Sequence, residues 1–107
     1  MQHSKLDIIL KRVKQDLTEL YPKNLESIVL YGSQARQDSH EGSDIDILVV
    51  LNAAVNPYKE IDKTSQIISK ICLDYDVLIS RHFISSDKFG SGQTPFLKNI
   101  RDEGVAL

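Results

Sequence analysis

The sequence predicts an α/β (α+β) fold in which one small mixed sheet of three to four strands carries helices packed on it. Two observations lead to this class. Helix-like and strand-like patterns follow one another in the order α-β-β-α-β-α, which is typical of helices layered on a sheet. One predicted strand, Asp44 to Leu51, is apolar on both faces beyond Asp46, as a central strand covered on both sides would be. With 107 residues the chain is long enough for one core, so we expect a single domain over residues 1–107.

The first helix is predicted from apolar residues at helical spacing between Leu6 and Leu20, with charged and polar residues between them. We expect Ser4 to cap this helix and the helix to end before Pro22. The β-branched and aromatic residues from Ser27 to Gly32 predict the first strand, which runs directly into a glycine.

A second helix is expected after Asn56 and Pro57, since this pair is typical of an N-cap followed by proline at the first helical position. Its buried stripe is predicted to consist of Ile61, Ile68, Ile71 and Cys72. The third strand is predicted from Tyr75 to Ser80.

The end of the chain is expected to begin with a glycine-containing loop from Ser85 to Pro95. A short helix should follow from Pro95 to Glu103 and stop at Gly104, and the last three residues are an optional final strand.

Composition limits the classes of partner. The net charge is −2, the pI is about 5.9 and the lysines are spread along the chain, so we expect no binding of long nucleic acid. No stretch approaches the ~20 apolar residues of a membrane span, and the start has no signal-peptide pattern. A cytoplasmic location is therefore expected, and the single Cys72 is interpreted as a small core residue.

Asp44 and Asp46 stand at the head of the most apolar segment. Because side chains alternate along a strand, both should project from the same face, with α-carbons about 6.5–7 Å apart. At ~4.5 Å and an effective dielectric near 20, two such charges repel by roughly 3–4 kcal/mol. Solvent, a basic partner, a shared proton or a divalent cation must offset that repulsion.

A third carboxylate favours the cation. Asp76 lies among apolar residues in the predicted third strand and would converge on Asp44 and Asp46 if the two strands are neighbours, although Asp74 has the same parity and is the alternative partner. Three carboxylates without His or Cys among them suit Mg²⁺ or Mn²⁺ rather than zinc. The sequence therefore predicts Asp44, Asp46 and Asp76 as metal ligands and catalytic residues.

A phosphate cradle is predicted just upstream of the acids. Gly32 and Ser33 end a strand and offer backbone N–H groups and a hydroxyl to an anion. Arg36 is expected either to add positive charge or to pin the turn, and Ser43 either to orient Asp44 or to begin the strand. A phosphate cradle facing a two-cation site is the layout of phosphoryl and nucleotidyl transfer. No Walker A lysine and no G-x-S-x-G elbow accompany it, which disfavours an ordinary ATPase and a serine nucleophile.

These residues resemble the minimal nucleotidyltransferase (MNT) branch of the polymerase-β-type nucleotidyltransferase superfamily. The family pattern of Gly-Ser, Ala-Arg-Gly, Ser-Asp-x-Asp and a later lone acid is matched by Gly32-Ser33, Ala35-Arg36, Ser43 to Asp46 and Asp76. The closing segment "PFLKNIRDEGVAL" resembles the end of MNT proteins, so the likeness runs from Ser27 to Leu107. Gln37 departs from the family glycine, and Ser39 and His40 stand where small residues are common.

The resemblance implies a small nucleotidyltransferase core that holds two Mg²⁺ (or Mn²⁺) ions on Asp44 and Asp46 and grips the triphosphate with Gly32 and Ser33. It implies that Asp76 completes one metal site and helps to deprotonate an acceptor hydroxyl. The implied reaction transfers a nucleoside monophosphate, most often AMP from ATP, to the acceptor while pyrophosphate leaves.

The same resemblance implies a helical HEPN-family partner, because MNT proteins are commonly antitoxins of HEPN toxins and some transfer AMP to the toxin. Two alternatives stay open: a non-catalytic antitoxin that neutralises its partner by complex formation, and a small-molecule (antibiotic-type) nucleotidyltransferase with an acceptor site across a homo-oligomer. The sequence leaves the base specificity, the acceptor and the oligomeric state undetermined.

Overall fold

The structure is a computed structural model that describes residues 3–32, 35 and 44–107. Its elements are helices and strands in this order: α1 (His3–Leu20), β1 (Leu25–Tyr31), β2 (Ile45–Leu51), α2 (Pro57–Tyr75), β3 (Ile79–Ser85), α3 (Ser86–Ser91), α4 (Pro95–Glu103) and β4 (Val105–Ala106).

The four strands form one mixed sheet in the order β3-β2-β1-β4. β2 runs parallel to β3, whereas β1 is antiparallel to both β2 and β4. This confirms the predicted fold class, and it places β2 at the centre of the sheet as its apolar sequence indicated.

The residues of β2 alternate between two layers of helices. Ile45, Ile47, Val49 and Leu51 belong to the larger core, which packs against the apolar stripes of α1 and α2. Leu48 and Val50 face the opposite side and pack with Val29 and with Ile100 of α4. Asp46 has the same parity as Leu48 and Val50, so it lies on the face that α4 covers.

Helix α2 begins as predicted and ends later than predicted. Asn56 is the N-cap, its side chain accepting from Lys59 N, and Pro57 occupies the first turn. Ile68 and Ile71 are buried and Cys72 is half-buried, whereas Ile61 is exposed.

The predicted third strand from Tyr75 to Ser80 is wrong. The helix continues through Tyr75 and closes at Asp76, which adopts the left-handed conformation (φ 56°, ψ 53°) and donates its N–H to the Cys72 carbonyl. The strand begins only at Ile79. Tyr75, at the end of the helix, and Val77, in the turn after it, both pack on the larger core. Their apolar character therefore comes from this packing and not from a strand.

Two further expectations need correction. Ser4 lies inside α1, which begins at His3, so it is not the N-cap. Part of the predicted loop from Ser85 to Pro95 is helix α3, with Ser85 as its N-cap. The last helix and the final short strand are confirmed, with Thr94 capping α4 and Gly104 closing it. Among the helices of the described residues, none is long and apolar enough to cross a membrane.

Candidate active site

Asp44 and Asp46 lie at the start of the central strand. Asp44 is exposed immediately before β2, and Asp46 is partly buried on the second residue of the strand. Burial and the nearby negative charge of Asp44 raise the pKa of Asp46, while the positive influence of His82 opposes this rise. The two acids are thus close enough to repel each other, which is the electrostatic cost that the sequence predicted.

In the turn after β1, the backbone of Gly32 lies close to the Asp46 carboxylate. Gly32 has a positive φ of 78°, a conformation that side-chain-bearing residues rarely adopt. A Cβ at this position would lie only 2.6 Å from Oδ2 of Asp46. The backbone angle therefore favours glycine here, and the Asp46 carboxylate lies in the space that a side chain would occupy.

Neighbouring strands supply the other side chains around Asp46. Tyr31 of β1 pairs with Asp46 in the antiparallel register, and Ser80 of β3 pairs with it in the parallel register. The next row on the same face pairs Leu48 with His82. Tyr31 reaches across this row, since its hydroxyl lies 2.8 Å from Nδ1 of His82.

Tyr31 and His82 form an aromatic cluster with Phe96 of α4. Phe96 packs edge-on to Tyr31 at a centroid distance of 5.6 Å and to His82 at 6.0 Å. Phe96 is 47% exposed and His82 is also exposed, whereas Tyr31 is half-buried. Burial and the Asp46 charge raise the pKa of Tyr31 to about 12, so its hydroxyl stays protonated. The cluster forms a partly open aromatic wall beside the two acids.

The structure does not group Asp76 with the other two acids. Asp76 is exposed at the cap of α2, and no set of three or more His, Cys, Asp and Glu side chains within the described ranges is arranged to hold a metal ion. The alternative partner, Asp74, lies on α2 and binds Arg12 of α1 at 2.6 Å. In the sheet, the β3 residue that pairs with Asp46 is Ser80, and His82 lies one row further along, opposite Leu48.

Three predicted binding residues, Ser33, Arg36 and Ser43, lie outside the described residues, as do Gln37, Ser39 and His40. Of the predicted phosphate cradle, the structure describes Gly32. The roles of the other three residues stay predictions.

Sequence reasoning missed the aromatic wall. Tyr31 was visible only as part of the first strand, and His82 lay beyond the predicted third strand because that strand was placed too early in the chain. A third strand from Ile79 would have put His82 on the same face as Ser80, which pairs with Asp46. The sequence alone did not show where β3 starts, and therefore did not show which β3 residues pair with β2.

The donors present fit a divalent cation. Asp44 and Asp46 offer only oxygen atoms, the ligands that Mg²⁺ prefers, and Mg²⁺ is commonly held by one or two carboxylates together with water and substrate phosphates. Their mutual repulsion is a cost that a bound cation would remove.

Comparison with known proteins identifies a family and close sequence relatives. The nucleotidyltransferase domain pattern matches residues 10–106. The chain is 38% identical over 99 residues to "Putative protein adenylyltransferase MJ0141" of Methanocaldococcus jannaschii, covering 92% of this chain and 95% of the relative. It is 31% identical to "Putative protein adenylyltransferase MJ0604" of the same organism, covering 92% and 93%.

Solved structures share the fold. A structure described as "a putative nucleotidyltransferase from Sulfolobus solfataricus" superposes with a TM-score of 0.63 at 21% identity, over 96% of this chain and 82% of the other. A toxin–antitoxin structure with AMP-PNP gives 0.58 at 19% identity, over 99% and 72%. A mutant of the toxin–antitoxin MntA-HpeT gives 0.53 at 19% identity, over 87% and 70%.

Proposed function

The chain belongs to the nucleotidyltransferase domain family, and we propose that it transfers AMP from ATP to a hydroxyl group of a partner protein. The observation that carries the proposal is the Asp46 carboxylate beside the glycine turn, with Asp44 near enough to repel it. The chain also matches two relatives named as protein adenylyltransferases over nearly their whole length. The proposal also places the chain in the cytoplasm, where ATP is available.

In this proposal Asp44 and Asp46 hold divalent cations, Mg²⁺ or Mn²⁺, with two ions expected. When bound, the cations would neutralise negative charge on the attacking and leaving oxygens. Gly32 leaves room for the substrate and the Asp46 carboxylate to approach the backbone. Ser33 is expected to contact the triphosphate, Arg36 to add positive charge, and Ser43 to orient Asp44.

The reaction forms one bond and breaks one. The acceptor oxygen bonds to the α-phosphorus of ATP, the bond from that phosphorus to the β-phosphate oxygen breaks, and pyrophosphate leaves with the electron pair. The hydroxyl proton passes to solvent or to a nearby basic group. The protein contributes mainly by positioning these groups.

For the partner we propose a helical HEPN-type toxin, neutralised by the modification. The likeness to the toxin–antitoxin structures supports the fold only, so the partner rests on the family resemblance and on the adenylyltransferase relatives. The candidate to test is any small helical protein that a neighbouring gene encodes.

The test is transfer of label from α-³²P-ATP to that partner in the presence of Mg²⁺. We expect labelled partner with the wild-type chain, and a loss of at least ~10²-fold with Asp46→Asn, because the variant loses a cation ligand. Asp62→Asn is the matched control, since this exposed carboxylate lies on α2, which covers the opposite face of the sheet. Equal labelling by wild type and Asp46→Asn would refute the proposed role of the acids.

A second function, neutralisation by binding alone, is favoured by one observation: Asp76 does not join the two acids to form a three-carboxylate site within the described residues. In that case the Asp46→Asn chain would still block the partner's toxicity although no label is transferred. Growth rescue measured beside label transfer separates the two functions.

A further inference from the structure

His82 is placed to meet whatever binds at Asp44 and Asp46. It lies one row along the sheet from Ser80, the β3 residue that pairs with Asp46, and on the same face. It is exposed, and it is near enough to Asp46 that its protonated form would favour the charged carboxylate. A substrate held at Asp46 that reaches the next row of the sheet on this face would meet His82.

The hydrogen bond from Tyr31 determines what His82 can offer. The Tyr31 hydroxyl and Nδ1 of His82 lie within hydrogen-bond distance. A phenol is a better donor than acceptor, and an imidazole nitrogen is a better acceptor than a phenol oxygen, so we assign the hydroxyl as the donor to Nδ1 when the ring is neutral. The proton of the neutral ring then sits on Nε2. In the charged ring Nε2 also carries a proton, so Nε2 is a donor in both protonation states.

The surroundings favour an anion rather than a metal as the partner of this donor. A nitrogen that carries a proton cannot bind a cation, and no metal-binding set of three or more His, Cys, Asp and Glu side chains exists among residues 3–32, 35 and 44–107. The Tyr31 hydrogen bond and the edge-on contacts of Phe96 hold the ring in one orientation. An oriented N–H donor beside two proposed cation ligands matches a triphosphate, which carries negative oxygens next to its cations.

We infer that Nε2–H of His82 donates a hydrogen bond to a phosphate oxygen of the bound nucleoside triphosphate, with Tyr31 acting as the residue that positions the ring. This inference rests on the proposed function, because it assumes that a nucleoside triphosphate binds at Asp44 and Asp46. It adds a binding residue on β3, at the side of the sheet where the third acid was expected.

The test compares two ligands on the intact chain by calorimetry. The first is α,β-methylene-ATP with Mg²⁺, whose α–β linkage cannot be cleaved by the transfer reaction, and the second is adenosine, which has no phosphate. His82→Phe keeps an aromatic ring and removes the donor, so we expect its Kd for the Mg²⁺–analogue to rise about tenfold or more. Its affinity for adenosine should equal that of the wild type.

Two more variants separate contact from packing. His82→Gln restores an N–H at the end of a side chain of similar reach and should recover most of the affinity. Tyr31→Phe keeps the ring and removes the hydroxyl, so we expect a smaller rise in Kd, because the imidazole is no longer held in one tautomer and orientation.

Three results would overturn the inference: an unchanged Kd for the analogue with His82→Phe, an equal loss of adenosine affinity, or no recovery with His82→Gln. The two His82 variants are expected to melt like the wild type because His82 is exposed, so a change in their Kd reports on binding and not on folding. Failure of the wild-type chain to bind the Mg²⁺–analogue would instead overturn the proposed function, so the two failures are distinguishable.

Discussion

Asp46 is the residue at which backbone shape, burial and charge meet. Its carboxylate occupies the space beside Gly32, its neighbour Asp44 repels it, and partial burial disfavours its charged form. In the free protein burial and the Asp44 charge act against a negative charge at this position, and His82 opposes them only in part. A site that tolerates such a cost is well suited to a cation, which would reverse the sign of the local potential.

Asp76 allows a clean test of the third acid. Its left-handed backbone is one that asparagine adopts at least as readily as aspartate, so Asp76→Asn removes the charge and leaves the helix end intact. Because Asp76 is exposed and outside any three-acid group of the described chain, we expect label transfer and melting temperature to stay within about twofold and about 1 °C of the wild type. A tenfold loss of transfer at unchanged melting temperature would restore Asp76 as the third acid.

Among the elements, α2 is held by polar contacts to the turn after α1 and to β3. The Tyr21 hydroxyl, in the turn after α1, donates to Oε1 of Glu60 on α2 at 2.7 Å, and both residues are buried. On the same helix, Thr64 accepts from Nε of Arg81 on β3 at 2.7 Å. Burial and the Glu60 contact raise the pKa of Tyr21, so its hydroxyl remains a donor. These contacts hold the helix that packs behind β2.

Tyr21→Phe is predicted to destabilise the fold. It leaves the Glu60 carboxylate buried without this donor, which costs about 1–3 kcal/mol in the free energy of unfolding. Urea denaturation measures the change. Tyr58→Phe is the matched control, because Tyr58 is on α2 and 88% exposed, and we expect no change there. Equal midpoints for the two variants would show that the buried hydrogen bond adds nothing.

Most of the element order could be predicted from the sequence because it depends on local signals. Asn56-Pro57 marks a helix start by side-chain capping and by the fixed φ of proline, and the start of the last helix at Pro95 was also visible without a structure. The apolar central strand was visible because both of its faces are buried. These features need no knowledge of which elements are neighbours.

The site could be predicted only in part, because half of it depends on strand register. Asp44, Asp46 and Gly32 are close in sequence to a turn and a strand start, so local spacing identified them. Whether a residue of the third strand joins them depends on where α2 ends. Apolar Tyr75 and Val77 fit the end of a buried helix as well as a strand, and the left-handed turn at Asp76 decided between the two.

The free energy of unfolding of the whole protein depends on pH through Asp46. The pKa of Asp46 in the folded protein is raised above its ordinary value of 3.8. The folded state therefore binds more protons than the unfolded state just above that value, and the free energy of unfolding falls as pH rises through this window. Above the raised pKa the loss is complete and constant, so the metal-free protein carries it at neutral pH.

Asp46→Asn is therefore predicted to have opposite effects on the free and the liganded molecule. Without metal, the variant should melt at a higher temperature than the wild type at pH 7, and the difference should shrink as the pH is lowered towards 4, because protonation neutralises Asp46 in the wild type. With Mg²⁺–ATP at about 100 times its Kd, the wild type should gain about 2.7 kcal/mol, which is roughly 10–20 °C for a domain of this size. The variant, lacking a cation ligand, should gain little.

Differential scanning fluorimetry across pH, with and without Mg²⁺–ATP, measures both effects, and Asp62→Asn is the control that should behave like the wild type. A variant that is less stable without metal, or that gains as much as the wild type from Mg²⁺–ATP, would contradict the idea that the repulsion between Asp44 and Asp46 is retained for binding a cation.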